Sequence, residues 1–169
     1  AHVSSKKAVD LIREAKKKGV NCSTEVTAQH LYFTDEWLKD YDTAFKMAPP
    51  IRGEEDREAL IEGLKDGTID AIMTDHAPHC NEEKNVPFNC APNGIAGLET
   101  SLASTLTVLY HQQGFTLDRI VELMSVNPAK LLGVEGGVLE EGAAADITVF
   151  DPDKEWTVHG EDLYTKSLF

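Results

Sequence analysis

The feature that most constrains this chain is a helix-turn-strand run, Glu54 to Met73, whose apolar end opens directly onto ionisable residues. Glu54 to Lys65 carries Leu60, Ile61 and Leu64 on one face behind an acidic first turn, so the spacing predicts an amphipathic helix whose dipole that charge suits. Asp66-Gly67 turns the chain. The short apolar run Ile69-Asp70-Ala71-Ile72-Met73, bounded by Gly67 and Pro78, predicts a buried strand. Thr74-Asp75-His76-Ala77-Pro78-His79 then sets one carboxylate and two imidazoles close together at the strand's C-terminal end. In parallel α/β architectures that edge is where ligands and chemistry sit. An Asp there can accept a proton or bind a metal, and a His there can bind a metal or hold an anion. The same residues also fit a plainer role, an Asp capping the next helix and two loop histidines.

The rest of the chain repeats the alternation. Ala1-His2-Val3 reads as the end of a strand. Ser4 or Ser5 then caps a helix reaching about Lys18, with Ala8, Leu11, Ile12 and Ala15 on one face and Gly19 closing it. His2 therefore occupies the same topological place as Asp75, although a lone histidine there is more often structural. Val20 to Thr27 predicts a second strand, with Glu25 and His30 at the same edge. Thr34 caps a short helix over Asp35 to Tyr41, and Tyr32, Trp37 and Phe45 read as packing residues. The prolines keep Lys46 to Arg52 extended, and Arg52 reads as solvated or structural, given the acidic run behind it. Cys80 to Asn93 is a polar loop suited to a lid or substrate wall. Three helices are expected after it: Gly94 to Gln113, Leu117 to Met124 capped by Thr116, and Pro128 to Leu132 capped by Asn127. Beyond Gly133 the composition changes, and strands are expected over Asp146 to Phe150 and Lys154 to Val158. Helix, turn and strand thus follow in the order of an α/β barrel.

Size and charge narrow the reading. A chain of 169 residues buries one sizeable core, but a closed (β/α)8 barrel takes about 250 residues, so only part of one is expected. A net charge of −13 argues against nucleic-acid or membrane partners. No apolar run approaches the roughly 20 residues of a membrane span, and the start lacks a signal-peptide pattern. Cys22, Cys80 and Cys90 are scattered without CxxC spacing, as in a reducing, cytoplasmic setting.

Thr74 to His79 resembles the signature of bacterial type I dihydroorotases in the amidohydrolase superfamily. The other landmarks follow in family order: His2-Val3-Ser4-Ser5, Glu25-Val26-Thr27 with His30-Leu31, Pro49-Pro50-Ile51-Arg52, Gly94-Ile95-Ala96-Gly97-Leu98-Glu99-Thr100, Asn127-Pro128-Ala129, and Gly142 to Asp151. They span nearly all of this chain, while the chain spans only part of the family. The resemblance implies the last strands and helices of a TIM barrel over residues 1–133, with residues 134–169 leading into a small β-sandwich domain.

It also implies zinc-dependent, reversible hydrolysis of dihydroorotate to N-carbamoyl-L-aspartate in pyrimidine biosynthesis, with one or two Zn2+ ions. His2 and Asp75 would be metal ligands. Asp75 would also serve as the base that takes the proton of the attacking water and delivers it to the leaving nitrogen. His79 would meet the substrate carboxylate, the backbone of Pro92-Asn93-Gly94 would hold the amide ring, and His76 would support the base without binding metal. The remaining ligands are expected upstream of Ala1, so the chain reads as a C-terminal portion, cut at both ends and inactive alone. A homodimer, and an association with aspartate transcarbamoylase, are expected of the complete protein.

Two departures keep alternatives open. Gln29-His30 stands where the family often has two histidines, so His30 reads as structural. Ala48 stands where dihydroorotases have a substrate-holding Asn, and related cyclic amidases show Ala or Ser there. An allantoinase or hydantoinase is therefore one alternative, and a non-catalytic dihydroorotase-like scaffold is another.

Overall fold

The computed structural model describes residues 1–167; Leu168 and Phe169, which end the expected 134–169 segment, lie outside the described residues. Helix α1 (Lys6–Lys17) begins where the Ser5 hydroxyl accepts the Ala8 N–H, and Gly19 follows it at φ 82°, a conformation glycine takes without a Cβ clash. Val9 is its buried residue, flanked by Ala8 and Ile12, whereas Leu11, expected on that face, is exposed. Lys16 accounts for the rotation. Its ammonium reaches the Asp70 carboxylate at 2.8 Å, so the helix turns Val9, Ile12 and Lys16 inward, residues that share one side.

Strand β1 (Glu25–Thr27) and strand β2 (Ala71–Met73) pair in parallel, with Glu25 opposite Ala71, Val26 opposite Ile72 and Thr27 opposite Met73. Both are shorter than the runs Val20 to Thr27 and Ile69 to Met73 suggested. The alignment nevertheless continues past the ladder. Val3 N–H donates to the Glu25 carbonyl at 2.9 Å, and Asp70 N–H to the Thr24 carbonyl at 3.0 Å. Three chain segments thus bring their C-terminal ends to one edge.

A parallel pair needs a long crossover, here containing α2 (Ala28–Tyr32) and α3 (Glu54–Lys65). Helix α3 buries Leu60, Ile61 and Leu64 as its spacing predicts, and it packs against α1 and α2. A Cβ at Gly63 would sit 3.0 Å from Ile69 Cδ1 and 3.2 Å from Val9 Cγ1, so the absent side chain lets helix, strand and α1 close together. Within the crossover the expected helix over Asp35 to Tyr41 is a 3-10 turn, Asp35–Leu38. Phe33 holds that turn by edge-on contacts with Trp37 and Phe45, at centroid distances of 5.3 and 5.1 Å. Arg52 is structural, its Nε donating to the Ser4 hydroxyl at 3.2 Å.

After β2 come the short helix α4 (Asn81–Lys84) and α5 (Ser101–Thr105), which continues as π-wound turns over Leu106–Gln112. The helix expected from Gly94 starts later because Ile95 lies beside His76 in a parallel bridge. The Thr116 hydroxyl caps α6 (Leu117–Val121), as expected. That helix runs through π-wound Glu122–Val126 into α7 (Asn127–Leu132) without the break expected at Asn127. Asn127 is helical, at φ −67° and ψ −45°. Its side-chain amide donates to the Asp70 carbonyl at 2.8 Å, so a tertiary bond takes the place of the cap.

Beyond Gly133, at φ 66°, the strands expected over Asp146 to Phe150 and Lys154 to Val158 are not formed; Ile147 and Val149 are exposed. A strand needs a neighbour to pair its backbone groups, and among the described residues the ladder consists of β1 and β2 alone. The segment is instead held at separate points. His111 Nε2 bonds the Pro152 carbonyl at 2.8 Å, and the Glu99 carboxylate accepts the N–H groups of Tyr164 and Thr165, both at 2.9 Å. No helix among the described residues is long and apolar enough to cross a membrane.

Candidate functional site

The common edge of the three segments brings His2, Glu25 and Asp75 together from distant parts of the chain. His2 Nε2 lies 3.5 Å from Asp75 Oδ1 and its Nδ1 lies 3.1 Å from Glu25 Oε1. Glu25 also accepts the His2 backbone N–H, which fixes both the ring and its carrier. His2 and Asp75 adopt left-handed backbone conformations, φ 52° and 41°. Non-glycine residues seldom do so, at about 1–3 kcal/mol each, and such strain clusters at functional sites. Both side chains remain about a quarter exposed, so the pair faces outward from the sheet edge.

The donor set fits a divalent cation. A metal-binding imidazole commonly gives its other ring N–H to a carboxylate, which fixes the tautomer and leaves the far nitrogen free. Glu25 stands in that position, and the free nitrogen faces the Asp75 carboxylate. Imidazole nitrogen with carboxylate oxygen suits zinc. Among the described residues no group of three His, Cys, Asp or Glu is arranged to hold a metal, so His2 and Asp75 do not by themselves make a closed site.

Behind the edge, His30 is buried and both its ring nitrogens are used. Nδ1 meets the Thr27 hydroxyl at 2.7 Å, and Nε2 the Pro49 carbonyl at 3.1 Å. The carbonyl only accepts, so Nε2 carries the proton and Nδ1 receives the hydroxyl's. Burial, outweighing the bonds to the Pro49 and Pro50 carbonyls, pushes the His30 pKa below its ordinary value. Gln29 beside it is also buried. Its amide nitrogen donates to the Thr74 carbonyl at 2.7 Å, immediately before Asp75, while Oε1 has no partner among the described residues. Gly97 covers that amide so closely that a Cβ there would lie 2.2 Å from Gln29 Nε2.

His76 points away from Asp75's partners: its Nδ1 accepts the N–H groups of Gly97 and Leu98, both at 3.2 Å. It supports the loop over the edge. His79 lies with the Pro92-Asn93-Gly94 turn, its Nδ1 3.1 Å from Glu83 Oε2 and its Nε2 3.0 Å from the Asn93 carbonyl. A Cβ on Gly94, at φ 145°, would meet the Ala77 carbonyl at 2.6 Å, so only glycine allows this approach. Several groups of the turn already have partners. Gly94 N–H donates to the Lys46 carbonyl at 2.9 Å, and the Pro92 carbonyl accepts from Lys84 Nζ at 3.3 Å.

Sequence reasoning placed Glu25 at this edge without a role, and it passed over Lys84 and Gln29's amide. Their contacts join residues dozens of positions apart, for which no local pattern exists. Cys22, Cys80 and Cys90 are free thiols.

The chain belongs to the amidohydrolase family, whose profile matches residues 1–168. It is 51% identical over 166 residues to a protein named dihydroorotase from Caldanaerobacter subterraneus, covering 98% of this chain and 38% of that protein. A dihydroorotase from Acetivibrio thermocellus is 50% identical, with 99% and 39% covered. The chain thus spans about two fifths of the length of these relatives. Among solved structures, an L-hydantoinase (dihydropyrimidinase) from Arthrobacter aurescens superposes with a TM-score of 0.91 at 34% identity, covering 99% of this chain and 38% of that one. A D-hydantoinase from a Thermus species gives 0.90 at 27% identity, with the same shares covered.

Proposed function

We propose that this chain is the part of a dihydroorotase that supplies its proton-transfer carboxylate, one histidine ligand and one wall of the substrate site. Residues 1–133 would be the closing part of a (β/α)8 barrel and residues 134–169 the return to a small β-sandwich. The observation that carries the hydrolase reading is His2 Nε2 facing Asp75 at 3.5 Å while Glu25 holds Nδ1. Roughly half identity to proteins named dihydroorotase supports dihydroorotate as the ring that is opened.

An amide carbonyl is a weak electrophile and neutral water a weak nucleophile. Bound zinc would supply both Lewis acidity and a lowered water pKa. His2 and Asp75 would hold it. Asp75 takes the proton of the attacking water as the new C–O bond forms, then gives it to the ring nitrogen as the C–N bond breaks. This yields N-carbamoyl-aspartate. His79 would meet the substrate's carboxylate once its Nδ1 leaves the exposed Glu83 carboxylate, the turn Pro92-Asn93-Gly94 would line the ring, and His76 keeps the loop Gly97-Leu98 over the edge. A homodimer, an association with aspartate transcarbamoylase and a cytoplasmic setting belong to the same proposal.

Ala48 and the hydantoinase likeness favour a second reading, hydrolysis of a hydantoin-type ring. The test is zinc content and turnover of dihydroorotate, hydantoin and allantoin by the complete protein, with Asp75→Ala as control. Bound zinc with dihydroorotate preferred, and turnover lost in Asp75→Ala, is the expected result. A clear preference for either other ring refutes the first reading. Absence of both zinc and turnover makes the protein a non-catalytic relative.

A further inference from the structure

Lys84 is a fully buried lysine, with relative exposure of 0%, in the loop between β2 and α5. Burying an ammonium is costly unless its donors are satisfied. Here its three N–H groups find three backbone carbonyls: Thr43 at 2.8 Å, Pro92 at 3.3 Å and Lys46 at 3.4 Å. The Thr43 hydroxyl returns a bond to the Lys84 carbonyl at 2.7 Å. Lys46 reaches back across the same loop, its ammonium donating to the Phe88 and Ala91 carbonyls at 2.7 and 2.6 Å. Both cations therefore grip the turn Pro92-Asn93-Gly94 where it begins, at the Ala91 and Pro92 carbonyls, and the Lys46 carbonyl takes the Gly94 N–H at its far end. Asn93 in turn sets the His79 ring through its carbonyl.

We propose that Lys84 is a positioning residue for substrate binding: its buried ammonium sets the height of the Pro92–Gly94 turn, and through Asn93 the orientation of His79. This rests on the reading above that the turn and His79 face the substrate. A charge is needed because three acceptors require three donors, which only the ammonium form has. Removing it leaves the Pro92 carbonyl without a donor, since the Thr43 and Lys46 carbonyls also accept the N–H groups of Lys46 and Gly94 at 3.1 and 2.9 Å, and the turn moves to recover a partner from water. Lys84 does not reach His2, Glu25 or Asp75, so metal binding and the proton-transfer carboxylate are left alone.

The test uses the complete protein, with Lys84→Met, which keeps most of the unbranched stem and removes the donors, and Lys46→Met, which loosens the same loop from a half-buried position. KM and kcat for the cyclic amide and zinc content are measured for each. The expected result for Lys84→Met is a KM raised about tenfold, the equivalent of one lost hydrogen bond, with kcat and zinc content held within twofold. Lys46→Met shifts KM in the same direction by less. A purely structural lysine would instead lower the active fraction and leave KM alone. If Lys84→Met does not fold, Lys46→Met decides. An unchanged KM in the folded variants overturns the inference while the activity reading stands. A wild-type protein that opens no cyclic amide ends both.

Discussion

Replacing Gly97 with alanine probes the junction between the sheet edge and the loop that covers it. The new Cβ would lie 2.2 Å from Gln29 Nε2, 2.7 Å from the Thr74 carbonyl and 3.3 Å from Gln29 Cδ. Carbon contacts settle near 3.5 Å, so the Gln29 amide must retreat by about 1 Å. It cannot do so freely. The side chain is buried, its nitrogen is committed to the Thr74 carbonyl at 2.7 Å, and its oxygen is already unpaired. Losing that bond inside the protein costs about 1–3 kcal/mol and the overpacking another 1–3, together about 2–6 kcal/mol of stability. Denaturant unfolding of wild type, Gly97→Ala, Gln29→Ala and the double variant measures this. Gly97→Ala should cost less when Gln29 is already truncated, with a coupling of at least about 1 kcal/mol, the remaining cost being the 2.7 Å approach to the Thr74 carbonyl. A Gly97→Ala protein within about 0.5 kcal/mol of wild type, or strictly additive effects, would refute the reasoning. Because Thr74 precedes Asp75, the hydrolysis proposed for the complete protein should fall along with stability.

Two further outcomes follow from the same edge. In Glu25→Gln an NH2 group replaces the Oε2 that lies 3.3 Å from His2 Nδ1 and the carboxylate charge behind the ring is lost, so the zinc affinity proposed for the complete protein should fall about 10–100-fold; chelator competition reads this directly, and unchanged affinity would remove Glu25 from the site. Because the His30 pKa is lowered by burial, the unfolded chain takes up its proton first. The stability His30 contributes is therefore complete above its ordinary value of 6.5 and is lost as pH falls from there toward the folded pKa, by up to about 1.4 kcal/mol per pH unit. Unfolding measured between pH 7.5 and 5 on wild type and His30→Gln should show a steeper decline in wild type, and parallel curves would contradict it.

Helices α1 and α3 could be read from the chain because their causes are local: the Ser5 cap, the acidic first turn of α3, and the spacing of Leu60, Ile61 and Leu64. The placement of β2 was equally legible, and so was the cluster of ionisable residues at its end, since the apolar run gives way there to Asp75 and two histidines. The strands expected after Gly133 were not legible in the same sense. Their sequence has strand character, but pairing depends on a neighbour rather than on the residues themselves. Asn127 shows the same limit from the other side, because a bond to Asp70, remote in the chain, replaced the cap its position suggested.

The sequence by itself determined the α/β alternation and the candidates His2, Asp75 and His79, because helix dipoles, caps and apolar periodicity act between near neighbours. Only the tertiary structure decided that Glu25 would hold His2 against Asp75, that Gln29 would lie under Gly97, and that Lys84 would be sealed beneath the turn. The first two rest on the parallel register of β1 with β2, and the third on the packing of the Thr43–Lys46 segment against the loop after β2, both properties of the folded chain rather than of any one segment.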